Sequence, residues 1–171
     1  MEKIRFIMFS GFIALFLLVA CKKQCAINYP KNIKPIDWEN YNDVYTVYWN
    51  YRTVNFDVNS KLEQDRGKDI KVYGYIHNKG NVRFSLIANK NNSNIIVCIS
   101  PFDNYDGDEY VNVDSLLHLT HQIQTKLDTS DLTKKCFIKG KLSNESFPDN
   151  DCNWKVPKVV ITDINNIYFE E

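Results

Sequence analysis

The chain has 171 residues, and its 21 Lys and Arg residues balance its 21 Asp and Glu residues. This length suits one domain with a hydrophobic core large enough to fold without metal or disulfide support. Because the balance leaves no excess positive charge, we expect no nucleic-acid partner. The 10 Tyr and 10 Phe residues, together with frequent Val and Ile, favour strands over helices.

The N-terminal segment has the composition of a bacterial secretory signal. Lys3 and Arg5 supply positive charge, and an apolar run follows from Ile7 to Leu18. A run of about a dozen apolar residues is short for a membrane span and typical of a cleaved signal. Residues 1–20 are therefore predicted to be a signal peptide. Its removal takes away two basic residues and one acidic residue, which leaves a formal charge of −1.

The apolar run ends in Leu18-Val19-Ala20-Cys21, which resembles the lipobox of bacterial lipoproteins. The resemblance implies cleavage between Ala20 and Cys21, a diacylglycerol on the Cys21 sulfur and a fatty acid such as palmitate on its amino group. Two or three acyl chains hold a protein stably on a membrane, whereas one chain is marginal. We expect a lipid-anchored protein of the cell envelope, on the outer membrane and facing the periplasm or the exterior.

An uncleaved signal anchor, with Cys21 as an incidental thiol, is the alternative. The shortness of the apolar run argues against it, and so does the polar Lys22-Lys23-Gln24 that follows at once. Residues 21–36 are polar, contain two prolines and show no apolar periodicity, so we predict a lipidated tether. Residues 37–171 are predicted to form a single domain.

The domain begins with an aromatic-rich extension, Trp38–Val58. Alternation of aromatic and β-branched residues across Val44–Val54 favours a strand. A helical stripe through four of its residues is also compatible with the sequence: Tyr41, Val44, Tyr45 and Tyr48.

The remaining chain alternates predicted strands with turns and one helix. Asn59–Lys68 is predicted to be a charged loop, Ser143–Lys155 a polar loop, and Ser115–Lys126 a helix that Asp114 caps and that buries Leu116, Leu119, Ile123 and Leu127. The predicted strands are Ile70–Ile76, Val82–Asn89, Ile95–Ser100, Cys136–Leu142 and Val156–Thr162, the last extending as far as Phe169 in its longest form.

Three segments resemble strands one, four and five of OB-fold domains in the "tRNA-anti-like" group and in uncharacterised lipoproteins of Bacteroides-type bacteria: Gly67–Ile76, Lys139–Leu142 and Val159–Ile164. The resemblance implies a mainly β protein, an OB-fold-like five-stranded Greek-key barrel with one helix between strands three and four, preceded by the N-terminal extension. In such a barrel Ile70–Ile76 and Cys136–Leu142 are neighbours. Gly74 and Gly140 would relieve crowding where these strands bend.

Four cysteines remain after Cys21, and four cysteines allow three full sets of disulfides. Cys98 and Cys136 lie in apolar runs, where a thiol behaves as a small buried hydrophobe. Cys25 and Cys152 have polar surroundings, so they are the favoured pair if a bridge forms.

No arrangement of residues indicates catalysis, and we expect neither an enzyme nor a cofactor. The acidic segment Asp103–Glu109 lacks the ligand spacing of an EF-hand, so we interpret it as a solvated loop. His118 and His121 lie three residues apart without a nearby carboxylate, so we predict exposed helix residues and no metal site.

The OB-fold resemblance directs a ligand to the barrel surface, where aromatic side chains stack on bases or sugar rings. The candidate ligand face comprises Tyr73, Tyr75, Arg83 and Trp154. The alternative is that these aromatics fill or cap the barrel. Three functions remain open: an adaptor for other envelope proteins, a glycan or small-ligand binder, and an inhibitor or immunity-type lipoprotein that inserts Phe102–Val113 into a toxic enzyme.

Overall fold

The computed structural model describes residues 29–54, 59–79, 84–89, 91, 94–101, 113–149 and 152–171. Within these ranges the chain forms eight strands, three α-helices and a 3₁₀ turn at Ile164–Asn166. The strands are β1 (Asn42–Asp43), β2 (Thr53–Val54), β3 (Asp69–Lys79), β4 (Phe84–Ile87), β5 (Ile96–Ser100), β6 (Cys136–Asp149), β7 (Cys152–Val160) and β8 (Ile167–Phe169). The helices are α1 (Val44–Tyr51), α2 (Lys61–Asp65) and α3 (Val113–Thr129).

Five strands form a closed barrel in the order β3, β4, β5, β7, β6, and β6 pairs back onto β3. Every neighbouring pair in this ring is antiparallel except β5 and β7, which are parallel. β8 pairs with the start of β6, on the side of β6 that does not face β3. The prediction of a mainly β, five-stranded barrel is confirmed at this level.

The closure of the barrel joins the two segments that the sequence predicts to be neighbours. β3 and β6 pair from Asp69 opposite Lys141 to Gly74 opposite Cys136. A Cβ at Gly140 would collide with the Val160 carbonyl oxygen and lie 2.7 Å from Val159 Cγ1. A Cβ at Gly74 would lie 2.6 Å from Val44 Cγ2. The predicted crowding at both glycines is therefore confirmed, because neighbouring atoms lie too close for any side chain.

The strand predicted within Trp38–Val58 is wrong over eight residues, which form α1 instead. Asp43 caps the helix, since its Oδ1 accepts a hydrogen bond from the Thr46 amide at 2.9 Å. The buried hydrophobic side chains of α1 follow helical spacing: Val44, Val47, Tyr48 and Tyr51. Alternation would have placed Tyr45 and Val47 on one face, but Tyr45 is exposed and Val47 is buried.

The extension completes the barrel wall. β1 pairs with β3 at Val72 and Tyr73, where the β3–β4 ladder has not yet begun. β2 pairs with β7 at Trp154 and Lys155, just before the β5–β7 ladder begins at Lys158. α1 connects β1 to β2 and packs against β5 and β7. The extension therefore fills the part of the wall that the short β4–β5 hairpin does not reach.

The polar loop predicted at Ser143–Lys155 is also wrong, because β6 and β7 continue as a hairpin to Asp149 opposite Cys152. The segment Asn59–Lys68, predicted to be a loop, contains α2, which packs against β6 of this hairpin. Glu63 of α2 accepts hydrogen bonds from Lys155 Nζ at 2.6 Å and from Asn144 Nδ2 at 3.2 Å. The Ser60 side chain caps α2, which explains why a short charged segment is helical.

Helix α3 extends further than predicted at both ends, and Asp114 lies in its first turn rather than at its cap. Of the predicted apolar stripe, Ile123 and Leu127 are buried, while Leu116 and Leu119 are half-buried. The first turns of the helix therefore contribute less to the core than the last ones.

The second half of the predicted tether packs on the domain. Ile36 belongs to the core, and the Asn50 side chain donates a hydrogen bond to the Lys34 carbonyl at 2.8 Å. The Tyr29 hydroxyl donates to the Arg52 carbonyl at 3.1 Å. Residues 21–28, the first half of the predicted tether, lie outside the described residues.

Candidate functional site

Seven outward-facing side chains form three rows across the β3–β6 closure, and we call this surface the ladder face. It comprises Asp69, Lys71 and Tyr73 of β3, Phe137, Lys139 and Lys141 of β6, and Tyr168 of β8. These residues alternate with buried ones such as Val72 and Ile138, so they point away from the barrel interior. Successive rows are two residues apart, which is about 7 Å along each strand.

The aromatic row contains Tyr73, Phe137 and Tyr168, which are direct neighbours in register. The rings of Phe137 and Tyr168 are parallel within 3°, with centroids 5.2 Å apart. The rings of Tyr73 and Phe137 stack at 5.6 Å with an interplanar angle of 28°. Both distances fit favourable aromatic pairing. The row therefore fixes β8 against the barrel and presents Tyr168, which is 39% exposed, at its end.

Tyr41 of the extension lies edge-on to the row. Its ring centroid is 5.3 Å from that of Phe137 and 5.8 Å from that of Tyr168, and both contacts are nearly perpendicular. Burial raises the pKa of the Tyr41 hydroxyl well above its usual range, and the adjacent Tyr168 hydroxyl adds to the shift. Tyr41 therefore stays neutral and serves as packing for the aromatic row.

The other two rows, which pair Lys71 with Lys139 and Asp69 with Lys141, border a surface depression of about 300 Å³. Its lining includes three ladder-face lysines and four uncharged residues, which are Ile70, Gly140, Thr162 and Asn166. Lys71 donates a hydrogen bond to the Glu39 carbonyl and is half-buried, whereas Lys139 and Lys141 are exposed. Asp69 is the single acidic residue of the lining. The depression therefore combines positive charge with hydrogen-bonding groups.

A further cation flanks the aromatic row at its other end. Lys135 Nζ lies 6.0 Å from the Tyr73 ring centroid, within the range of a cation–π contact. The same ammonium lies 3.6 Å from Glu170 Oε1. Aromatic rings and ammonium groups therefore alternate along this side of the molecule.

The structure separates the residues of the candidate ligand face predicted from the sequence. Tyr73 belongs to the aromatic row, and Tyr75 follows it on β3, half-buried and opposite Ile87. Trp154 pairs with Phe147 near the far end of β6, whereas Tyr73 pairs with Phe137. The ten residues between these two partners correspond to about 33 Å along β6. Arg83 lies outside the described residues.

Sequence reasoning did not find most of the ladder face. Phe137, Lys139 and Lys141 alternate with buried residues in β6, and this period of two was a visible signal. The contribution of Tyr168 had no comparable signal, because its position beside Phe137 depends on the pairing of β8 with β6.

Another polar row crosses the barrel wall and is closed to solvent. Cys98 of β5, Lys158 of β7 and Ser143 of β6 are direct neighbours in register. Lys158 is 0% exposed and Ser143 is 1% exposed. A ligand therefore has no direct access to this row.

The other motifs of the sequence lie outside the ladder face or outside the described residues. His118 and His121 lie on α3 and are exposed, as predicted. Among the described residues, no three His, Cys, Asp or Glu side chains come together in a way that could hold a metal ion. Cys21, Cys25, the acidic segment Asp103–Glu109 and the Cys152 side chain lie outside the described residues. Cys98 and Cys136 are buried in strands.

Burial also controls the chemistry of Cys136. It raises the pKa of the Cys136 thiol from 9.0 to about 12, and the Lys126 ammonium opposes the shift. The neutral thiol therefore dominates at physiological pH, which makes Cys136 a poor nucleophile.

No protein-family model matches the chain, and no curated protein sequence matches it. Among solved structures, the chain is similar to a DUF3299 family protein from Pseudomonas aeruginosa PAO1, with 14% sequence identity and a TM-score of 0.35. The similarity covers 63% of this chain and 64% of that one, so it spans less than two thirds of that protein's length. Since a likeness at this level assigns neither fold nor function, the fold rests on the strand pairings.

In the described part of the chain, no helix is both long enough and apolar enough to cross a membrane.

Proposed function

We propose that the chain is a non-enzymatic binding module, anchored to a bacterial membrane through lipid on Cys21, and that its ladder face binds an acidic glycan. The observation that carries the proposal is the arrangement of the ladder face. An aromatic row lies about 7 Å from a row of ammonium groups, and the ammonium groups border an open depression.

The chemistry of an acidic saccharide matches both kinds of row. Carboxylate or sulfate groups pair with Lys139 and Lys141, which are exposed and free to reorient. Sugar rings pack on aromatic side chains, and Tyr168 is the accessible end of the aromatic row. The overall charge balance of the chain leaves no excess positive charge, which argues against nucleic acid.

The barrel itself is proposed to be an OB-fold. Its ring order supports the assignment, since the first three barrel strands follow in sequence and the last two are inverted in space. The parallel contact of β5 with β7 and the position of α3 between β5 and β6 agree with a Greek-key barrel.

The lipid anchor is supported by the sequence alone, and mass spectrometry tests it. We expect the full-length chain, expressed in a bacterium with its own signal, to begin at Cys21, to carry the mass of its acyl chains and to fractionate with membranes. A Cys21→Ser variant should lack that mass and leave the membrane fraction. A wild-type protein that retains residues 1–20 would contradict the anchor.

Calorimetric titration with oligogalacturonate tests the ligand class. We expect binding to the wild-type protein and loss of binding in a Lys139→Glu, Lys141→Glu double variant. A Lys31→Glu, Lys34→Glu double variant is the matched control, because it makes the same charge change at exposed lysines outside the ladder face. Equal loss in both variants, or tighter binding of oligothymidylate than of the saccharide, would contradict the proposal.

A protein-docking role is the second candidate, and one observation favours it. Val113 and Leu117 lie one turn apart on α3 and are 63% and 61% exposed. If this pair docks on another envelope protein, affinity capture of the lipidated chain should recover that partner in stoichiometric amount. Leu117→Lys should then abolish the capture, and Lys134→Glu should preserve it.

A further inference from the structure

The outward side of α1 carries aromatic side chains at helical spacing. Tyr45 and Trp49 lie four residues apart on one face of the helix, and Arg52 follows Trp49 by three residues as the C-cap of α1. Tyr45 is 37% exposed and Trp49 is half-buried. The opposite side of α1 is buried in the core, and Trp49 packs partly buried against that core, so the Tyr45 side chain is the part of this face most open to solvent.

Tyr29 extends this surface. Its ring centroid lies 6.2 Å from that of Trp49, and the side chain is 53% exposed. The Tyr45 ring contacts Trp49 from another direction, at 6.3 Å. The Arg52 guanidinium carbon lies 5.6 Å from the centroid of the Trp49 ring. These four residues, Tyr29, Tyr45, Trp49 and Arg52, are called the α1 outer face.

Lysines border the α1 outer face. Asn50 joins two of them, since its Nδ2 donates to the Lys34 carbonyl at 2.8 Å and its Oδ1 accepts from Lys61 Nζ at 2.9 Å. Both lysines are exposed, and so is Lys31, two residues after Tyr29. The surface therefore combines Tyr and Trp rings with a cationic border, the pattern of a protein surface that lies in an anionic membrane interface.

The chain itself limits how far this surface can lie from a membrane. Tyr29 is eight residues after Cys21, and eight residues span about 28 Å when fully extended. The lipid anchor would therefore hold the α1 outer face within a short distance of the headgroups. Continuity with the anchor and charge complementarity thus favour a lipid surface over a protein as the occupant.

We propose that the α1 outer face rests on anionic lipid headgroups and orients the barrel relative to the membrane. This inference rests on the proposed lipid anchor and adds to it a second, non-covalent membrane contact. Tyr29, Tyr45 and Trp49 lie in the headgroup region, and Arg52 with the bordering lysines pairs with lipid phosphates.

Tryptophan quenching in vesicles tests the proposal with the full lipidated protein. The protein is reconstituted into vesicles of phosphatidylcholine and phosphatidylglycerol that contain a headgroup spin-labelled lipid. We expect a loss of tryptophan emission that a Trp49→Phe variant largely removes. Vesicles of phosphatidylcholine alone should quench less, because they lack the anionic lipid.

Two variants separate the contact from the anchor. Tyr45→Glu with Arg52→Glu should abolish quenching while the protein still floats with the vesicles. His121→Glu adds a carboxylate on the distant α3 and should leave the quenching unchanged. Flotation with intact acylation but without quenching of wild-type emission overturns this inference and leaves the anchor standing. A wild-type protein that neither carries acyl chains nor floats overturns both.

Discussion

The two faces of the β3–β6 pair differ in packing and solvent exposure, although alternate residues of the same two strands form them. The inner face is so tightly packed that Gly140 has no room for a Cβ beside Val159 and Val160. The ladder face, formed by the neighbouring residues of the same strands, presents Lys139 and Lys141 to solvent. The period of two along a strand lets one face pack into the core while the other faces solvent. Substitutions on the inner face should therefore change stability, and substitutions of the exposed ladder-face lysines should change binding instead.

Gly140→Ala should give the largest loss of stability. The added methyl group must displace the Val160 carbonyl, so we expect the free energy of unfolding to fall by about 3 kcal/mol. Urea unfolding followed by circular dichroism measures the change. Gly67→Ala is the control, because a Cβ there meets no atom within 4 Å and the cost arises only from its positive φ of 80°. A larger loss at Gly67 than at Gly140 would contradict the tight packing of the closure.

Ionisation of the buried inner-face thiol should weaken the fold at high pH. The pKa of Cys136 rises from 9.0 to about 12 in the folded protein, so the unfolded thiol ionises first and stability is lost as pH rises above 9. By linkage, Cys136 should contribute a loss of about 1.4 kcal/mol between pH 8 and pH 10. Denaturation at both pH values measures this loss. The Cys136→Ala variant should lose that much less than the wild type, and an equal loss would show that the thiol is not buried.

Phe137→Ala should have a smaller effect than Gly140→Ala, because Phe137 is half-buried on the ladder face. It removes the central ring between Tyr73 and Tyr168, so we expect a loss of about 2 kcal/mol. Thermal unfolding measures it. Tyr75→Ala on the paired strand β3 should cost less, since no ring contact is seen for Tyr75 among the described residues. A neutral Phe137→Ala would mean that the aromatic row does not hold β8.

Lys139→Glu with Lys141→Glu should have the smallest effect on stability, a change within about 0.5 kcal/mol. Both side chains are exposed, and neither ammonium is buried against a partner carboxylate in the described residues. Thermal unfolding of the double variant beside the wild type provides the check. A large destabilisation would assign the two lysines to the fold rather than to the ligand.

The parts of the fold that depend on local alternation could be predicted from the sequence. Ile70–Ile76 and Cys136–Leu142 show the period of two, and Gly74 and Gly140 interrupt it where the strands approach another backbone. α1 could not be predicted with the same rules, because Val44–Tyr51 fits both a strand and a helix. Two features favour the helix over the strand. One is the Asp43 cap. The other is the part of the barrel wall that the β4–β5 hairpin does not reach, which is a tertiary effect.

The candidate site was less accessible to sequence reasoning, because it depends on register. Tyr73 could be identified as an outward aromatic of β3, but its stacking neighbours Phe137 and Tyr168 come from strands more than sixty residues later in the chain. Trp154 is aromatic and lies on a barrel strand, yet its place near the far end of β6 separates it from Tyr73. Composition identifies the aromatic residues but does not indicate which of them are in contact.

The most direct test of the central claim is residue-resolved: an amide chemical-shift map of the labelled protein titrated with oligogalacturonate. The ladder-face account predicts the largest shifts at residues 69–73, 137–141 and 166–168, with little change in the inner-face residues of α1 and α3. Shifts that cluster elsewhere, or no shifts at millimolar saccharide, would contradict the assignment of the ligand site to the outer side of the β3–β6 closure.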